Sequence, residues 1–450
     1  ALEPHTPARA RLAYDELLAN QLTLAILRTR QKRAKGRRLK GDDSLTRKVF
    51  KTLPFALTEA QTTALREIRE DMAAPGAMLR LLQGDVGSGK TVVALFTLLN
   101  AVECSGQGVM MAPTEILARQ HLATLQSLLG DTGVRIDILT GRDKGKSRQA
   151  KLEKLAAGEI DILVGTHALF QAGVDFKDLM VAVIDEQHRF GVHQRLSLAE
   201  KGQGVDVLVM TATPIPRTLT LTVYGDLEVS RLTEKPPGRL LVDTRTMPLD
   251  RLHEIVDAVA RATRDGAKVY WVCPLVEDSE VSDLAAAEAR HATLKTRFGD
   301  KVALVHGRMK SAEKDAAIAE FAEGNASILV ATTVIEVGVD VPDATIMVVE
   351  HAERFGLAQL HQLRGRIGRG EKQSTCLLLF AQPVGDTARS RLRTLRETED
   401  GFRIAEEDLR LRGAGEVLGT RQSGLPVFRL ADLSAHADLL AIARDDASLI

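Results

Sequence analysis

Eight residues, Gly84 to Thr91 (GDVGSGKT), carry the first legible chemistry in the chain. They fit the spacing GxxxxGK[ST], in which glycines let backbone amides turn inward around phosphate oxygens, a lysine reaches the terminal phosphates and a hydroxyl holds magnesium. On this reading Gly84, Asp85, Gly87, Ser88 and Gly89 cradle the phosphates of ATP. Lys90 neutralises the β- and γ-phosphates, and Thr91 binds Mg²⁺. A second signature is the acidic pair Asp185–Glu186 in VAVIDEQH, at the end of an aliphatic run. A carboxylate there can meet the magnesium shell, so Asp185 is read as a metal ligand and Glu186 as the group that orients and deprotonates water. Acidic pairs after strands are common; joined to a phosphate loop, this one points to hydrolysis rather than binding alone. A third is Arg366 and Arg369 in QLRGRIGRG, three residues apart and read as one side of a helical turn. Guanidinium groups so placed stabilise charge on a transferring γ-phosphoryl group, although a solvated basic helix is the plain alternative. His188 and His193 lack any further ligand signature, so no zinc site is read from them.

These side chains need elements to hold them. The phosphate loop follows MLRLLQ and precedes VVALFTLLN, an amphipathic helix pattern, which is the strand–loop–helix context that the motif requires. Similar short aliphatic runs recur at Met78–Leu82, Val109–Ala112, Ile160–Val164, Val181–Ile184 and Val207–Met210. They suit strands buried on both faces of a parallel sheet and covered by crossover helices. Lys235–Gly238 (KPPG) breaks the pattern. It restarts at Lys268–Val272, Val302–Val305, Ile328–Ala331, Thr345–Val349 and Cys376–Phe380. The expected fold is therefore α/β, two parallel-sheet units in tandem. The expected boundaries are a helical connector and basic linker over 1–50, a nucleotide-binding domain over 51–238, a second domain over 239–388, and an appended element over 389–450.

Length and composition agree. The 450 residues exceed one ordinary domain, and 44% apolar with 27% charged residues is the balance of a globular protein. No apolar run approaches the roughly 18 residues of a membrane span, and the amino terminus lacks the pattern of a secretory signal. Cys104, Cys273 and Cys376 are far apart, against a disulfide framework and in keeping with a reducing cytoplasm. The 60 basic and 60 acidic residues cancel, so a nucleic-acid partner would rest on a local concentration of charge. With only 4% aromatic residues, the backbone is a better handle than base stacking. Between Arg28 and Lys40 stand eight basic residues and no acidic one, either a solvated linker or a DNA-backbone contact. Leucines 12, 17, 18, 22, 24 and 27 predict a helix before it.

In order, GDVGSGKT, APTEILARQH, VGTHALFQ, DEQH, TATPIPRTL, ATTVIEVGVDVPDA and QLRGRIGRG resemble the motifs of superfamily 2 helicases, with variants like those of RecG-type DNA helicases. The motor of the transcription-repair coupling factor is the nearest alternative. The resemblance runs from about Leu57 to the carboxyl terminus and implies two tandem RecA-like domains. It puts Gln61 of LTEAQ on the adenine, and Pro113, Thr114, Thr166 and His167 on DNA. Thr211 and Thr213 would link hydrolysis to movement. Glu336 would lie near the nucleic-acid backbone, Gly338 and Asp340 near the ribose, and Gln362 beside the two arginines. Thr398–Gly424 resembles a translocation element of helical hairpin and loop, with Arg410, Arg412, Arg421 and Gln422 as its working residues. An ordinary salt-bridged helix is the alternative for its charged stretch.

The resemblance thus implies an ATP- and Mg²⁺-dependent, monomeric translocase on double-stranded and branched DNA, with 3′-to-5′ polarity, in the bacterial cytoplasm at the nucleoid. Such proteins carry a preceding wedge domain that grips branches. The chain starts in what resembles the connector after it, so branch recognition is expected of the parent protein. An RNA helicase is disfavoured by the tail, and a non-hydrolysing ATP-binding scaffold by the complete set Lys90, Asp185, Glu186, Arg366 and Arg369.

Overall fold

A computed structural model describes residues 3, 6–33, 36–171, 173–185, 202, 204–216, 220, 227–236, 239–274, 280–332, 341, 343–370, 372–412, 428–433 and 435–449. The chain divides into two compact units, Ala1–Pro236 with Arg412–Ile450, and Pro237–Leu411. Each is built on one parallel sheet.

The first unit contains β1 (Leu79–Gly84), β2 (Gln107–Met111), β3 (Ile136–Leu139), β4 (Ile162–Gly165), β5 (Leu179–Asp185), β6 (Asp206–Thr211) and β7 (Glu228–Leu232). Their order across the sheet is β3-β4-β2-β5-β6-β1-β7, every neighbouring pair parallel. Strands β2, β5 and β6 are buried along their whole length, which explains why they read as continuous aliphatic runs. The helices before and within this sheet are α1 (Pro7–Arg33), α2 (Ser44–Thr52), α3 (Glu59–Ala73), α4 (Lys90–Glu103), α5 (Glu115–Leu129) and α6 (Gly145–Ala157). Helix α4 departs from expectation: it is buried almost all round, from Val92 through Ala101, rather than amphipathic. A helix apolar on every side belongs inside a layered core, and Thr97 and Asn100 enter only with their polar ends bonded, to Val93 O and Leu39 O.

The second unit contains β8 (Asp243–Pro248), β9 (Lys268–Val272), β10 (Val302–Val305), β11 (Ile328–Ala331), β12 (Ala344–Val349) and β13 (Thr375–Phe380), in the parallel order β10-β11-β9-β12-β13-β8. Its helices are α7 (Leu252–Arg264), α8 (Glu280–Phe298), α9 (Ser311–Glu323), α10 (Leu357–Arg364) and α11 (Asp386–Glu397). Side chains alternate across the sheet as the strand period requires. Tyr270 and Val272 join Phe321, Met347 and Leu378 on one face, while Val269 and Trp271 join Ile255, Val259 and Leu294 on the other.

After α12 (Gly401–Arg412) the chain ends in α13 (Ala437–Leu449), which packs along α1. The α1 face towards the core is Ala13, Leu17 and Gln21, one helical row, whereas Leu12 is half exposed. The Glu16 carboxylate accepts from the N–H groups of Arg429 (2.7 Å), Leu430 (2.9 Å) and Ala431 (2.9 Å), and Tyr14 Oη donates to Asp446 (2.5 Å). Arg37, from the basic run, is ion-paired with Asp178, while Arg38 and Lys40 face solvent. The described cysteines are unbridged, and no described helix is long and apolar enough to cross a membrane.

Candidate functional site

The phosphate loop joins β1 to α4. Gly87 and Gly89 lie at positive φ (78° and 83°), where a side chain is strained. A Cβ on Gly89 would also stand 2.2 Å from Gln61 Nε2. Gln61 sits in the first turn of α3 and completes a capping box with Thr58. Its Oε1 accepts from Thr58 N–H (3.0 Å), its backbone N–H donates to Thr58 Oγ1 (3.2 Å), and its Nε2 donates to Ser88 O (2.9 Å). The residue expected on the adenine is thus, in this structure, a buried brace between α3 and the phosphate loop.

Lys90, buried at the head of α4, donates from Nζ to Gly84 O (2.7 Å) and Asp85 O (2.8 Å). Ser88 Oγ is buried without a hydrogen-bond partner in the same loop. A lysine folded onto its own loop, an unsatisfied hydroxyl and a 14-residue helix starting at Lys90 fit a polyphosphate. Thr91, next along α4, is partly exposed.

Asp185 is the last residue of β5 and lies opposite Met210 in the register with β6, while Thr211 pairs with Gln83 of β1. Strand β6 therefore separates the strand carrying Asp185 from the strand feeding the phosphate loop, and Thr211 ends between them. Its Oγ1 closes a turn with Thr213, accepting from Thr213 N–H and donating to Thr213 O, each at 3.2 Å. Sequence reading missed the partner of Asp185: His121 Nε2 lies 2.8 Å from Asp185 Oδ2, both side chains about nine-tenths buried. The one available signal is its place in APTEILARQH, seven residues after Thr114 and so on the same side of a helix. Gln83, wholly buried beside Thr211, was missed too; its Nε2 donates to Thr220 Oγ1 at 3.2 Å.

The carboxyl ends of β2 and β4 stand side by side, Met111 opposite Gly165. Pro113 and Thr114 follow the first, and Thr114 caps α5 by accepting from Leu117 N–H at 3.3 Å. Thr166 and His167 follow the second. His167 is exposed at the start of a short 3-10 turn, whereas Thr166 is buried.

In the second unit, helix α10 stops at Arg364, so the expectation that Arg366 and Arg369 share a helical turn is corrected. Gly365 ends the helix and Gly368 turns at φ 72°, where a Cβ would meet Val242 at 2.9 Å. Arg366 lies in the first turn after the helix and Arg369 beyond the second glycine. Both are partly buried, as is Gln362. Arg364, which sequence reading passed over, is the buried member: it donates to Leu395 O (2.5 Å) and Thr244 Oγ1 (3.4 Å) and contacts His361 Nδ1 (3.1 Å).

In α12, Arg410 forks onto Glu407 (2.6 and 2.9 Å), an exposed pair whose attraction solvent largely screens. Arg412 ends that helix. Glu186, Glu336, Gly338, Asp340, Arg421 and Gln422, with the Pro237–Gly238 break, lie outside the described residues.

Against known proteins, residues 58–222 match the DEAD/DEAH box helicase family and residues 249–371 the helicase conserved C-terminal domain. Residues 398–450 match the family of the C-terminal part of domain 3 of the ATP-dependent DNA helicase RecG. The chain is 50% identical to the ATP-dependent DNA helicase RecG of Escherichia coli K12 over 433 residues, 95% of this chain and 62% of that protein. It is 47% identical to the Streptococcus pneumoniae RecG, over 100% of this chain and 67% of that protein. Among solved structures, RecG bound to a three-way DNA junction is similar at 42% identity and a TM-score of 0.81, covering 97% of this chain and 57% of that one. S. cerevisiae Dbp5 bound to RNA and ADP BeF3, 17% identical with a TM-score of 0.55, shares the fold. The chain thus spans about three fifths of the length of the first curated relatives that it matches.

Proposed function

The chain belongs to the RecG family of ATP-dependent DNA helicases, two tandem RecA-like α/β domains followed by the family's C-terminal element, and from that premise we propose that it is an ATP-hydrolysing translocase on duplex DNA. In this reading it serves the remodelling of forks and junctions in repair and recombination, in the bacterial cytoplasm at the nucleoid, as a monomer and together with the branch-gripping wedge domain of the parent protein.

The observation that carries the reading is the strand order β5-β6-β1, which gathers Asp185, Thr211 and the phosphate loop along three neighbouring carboxyl ends of one sheet. Lys90 leaves the Gly84 and Asp85 carbonyls for the terminal phosphates, and the amides at the head of α4 complete their cradle. Thr91 and Asp185 are the side chains suited to Mg²⁺, which supplies charge neutralisation between the β- and γ-phosphates. Glu186 takes the proton of the attacking water, and Arg366 and Arg369, with Gln362, steady the charge that develops as the terminal phosphoryl group leaves. Gln61, Gly338 and Asp340 complete the nucleoside contacts. Thr211 and Thr213 pass the change at the phosphate to the loops of Pro113–Thr114 and Thr166–His167, with Glu336. Those loops hold DNA by its backbone and so track it without reading sequence. Arg410, Arg412, Arg421 and Gln422 in the tail grip the duplex between steps.

The match of the tail to the RecG family supports this reading over a coupling-factor motor or an RNA helicase. Steady-state ATP hydrolysis by the chain, measured alone and with single-stranded DNA, linear duplex, forked DNA and duplex RNA, tests it. Stimulation by duplex and forked DNA is expected. Stimulation by RNA alone, or by nothing, would contradict it.

A further inference from the structure

His121 has no place in the chemistry described so far, yet it holds the carboxylate on which that chemistry turns. Its Nε2 is 2.8 Å from Asp185 Oδ2, and the two side chains are about nine-tenths buried. Asp185 ends β5, so pairing with β6 fixes its backbone but does not by itself orient its carboxylate. A directed hydrogen bond helps to set its orientation: with a proton on Nε2 the imidazole donates to Oδ2. A ligand carboxylate is ordinarily oriented by such an outer partner, whose loss typically costs about 10–100-fold in metal affinity or activity.

The partner is not a local one. His121 lies on α5, two helical turns from Thr114, which caps that helix at the Pro113–Thr114 loop. At 1.5 Å per residue the separation is about 10 Å along one rigid rod. Leu117, Ala118, Leu125 and Leu129 seat α5 on the sheet, on the side that His121 shares. Glu115, in its first turn, is tied to Arg142 (3.1 Å) and Thr140 (3.3 Å) beyond β3. A displacement of the loop that follows β2, carried along this rod, would reach the His121–Asp185 bond.

We propose that His121 is a positioning residue for Asp185, orienting its carboxylate for the metal and coupling it through α5 to the Pro113–Thr114 loop. The coupling half rests on the DNA-motor reading above; the orientation half rests only on the reading of Asp185 as a metal ligand.

Two variants separate donor chemistry from packing. His121→Phe keeps a flat ring and removes the donor, and His121→Gln keeps a donor at about the position of Nε2 without the ring. The first readout is Mn²⁺ affinity of the ADP-loaded chain by electron paramagnetic resonance, which needs no turnover. Affinity about tenfold weaker in His121→Phe, and largely recovered in His121→Gln, is expected. The second is the ratio of ATP turnover with linear duplex DNA to turnover without it, expected to fall in His121→Phe and recover in His121→Gln. Thermal melting of all three chains reports packing. Unchanged Mn²⁺ affinity in His121→Phe, or equal losses in both variants, would overturn the orientation role. A normal DNA ratio beside weakened Mn²⁺ binding would overturn the coupling role. If duplex DNA fails to stimulate the unsubstituted chain, the motor reading and the coupling fall together, and the Mn²⁺ series still decides the orientation.

Discussion

Asp206 opens β6 with no exposed surface. One carboxylate oxygen accepts from Met78 N–H at 2.6 Å and the other has no partner. Burial drives its pKa up to about 8, against the pull of that N–H and with a further push from Asp71. In the unfolded chain the group ionises near pH 4, so between about 4 and 8 the folded chain holds the extra proton. Stability accordingly falls as pH rises through that window, no more steeply than about 1.4 kcal/mol per unit from this residue. Asp206→Asn keeps the acceptor and removes the titration. Its melting temperature is expected to exceed that of the unsubstituted chain at pH 8 and the gap to narrow towards pH 5; parallel profiles would refute the assignment. Residues such as this show the limit of sequence reading. Lys90 and Asp185 stood out as candidates because their motifs are contiguous. The His121–Asp185 bond was not legible, because the partners are 64 residues apart, nor was the structural role of Arg364, since an arginine inside a basic motif carries no mark of burial. Gln61 stood out as a candidate but not as a brace, because its two amide bonds depend on a capping box meeting a loop.

At the scale of elements, the strands that went unread share a position, although one edge strand, the aliphatic β10, was read. The central strands announce themselves as aliphatic runs, because both faces are covered. The three that went unread, β3, β7 and β8, are all sheet edges. Their sequences IDIL, EVSRL and DTRTMP mix polar with apolar residues, as a strand with one open side allows. The terminal elements were equally opaque: the sequence predicts a helix near the start and a charged tail, but nothing in either tells that α1 and α13 pack together. The Glu16 carboxylate pins that arrangement. Partial burial raises its pKa, but the three N–H groups it accepts outweigh the burial and leave it below the ordinary value. The contribution is therefore complete above the usual glutamate range and is lost as pH falls through the depressed value. Glu16→Ala removes the acceptor. Hydrogen exchange at the amides of Arg429, Leu430 and Ala431 is expected to quicken about tenfold, the size of one charge-assisted hydrogen bond; unchanged exchange would mean that something else protects them.

For the whole molecule, the property that decides the proposed reading is travel rather than hydrolysis. A chain with one parallel sheet and its phosphate loop can turn over ATP without moving anything. In the proposed reading the second sheet, the Arg366–Arg369 segment and the C-terminal element are what a motor adds; the sheet and the C-terminal element were legible in broad outline because their motifs occur in order along the chain. What composition cannot supply is where charge would be concentrated for the proposed DNA contact, because 60 acidic residues offset 60 basic ones. The most direct test is displacement of a third strand from a linear duplex that carries a triplex at one end. ATP-dependent release of the third strand by the chain is the expected result, abolished in Lys90→Ala. Robust ATP hydrolysis stimulated by duplex DNA, with the third strand left in place, would contradict it.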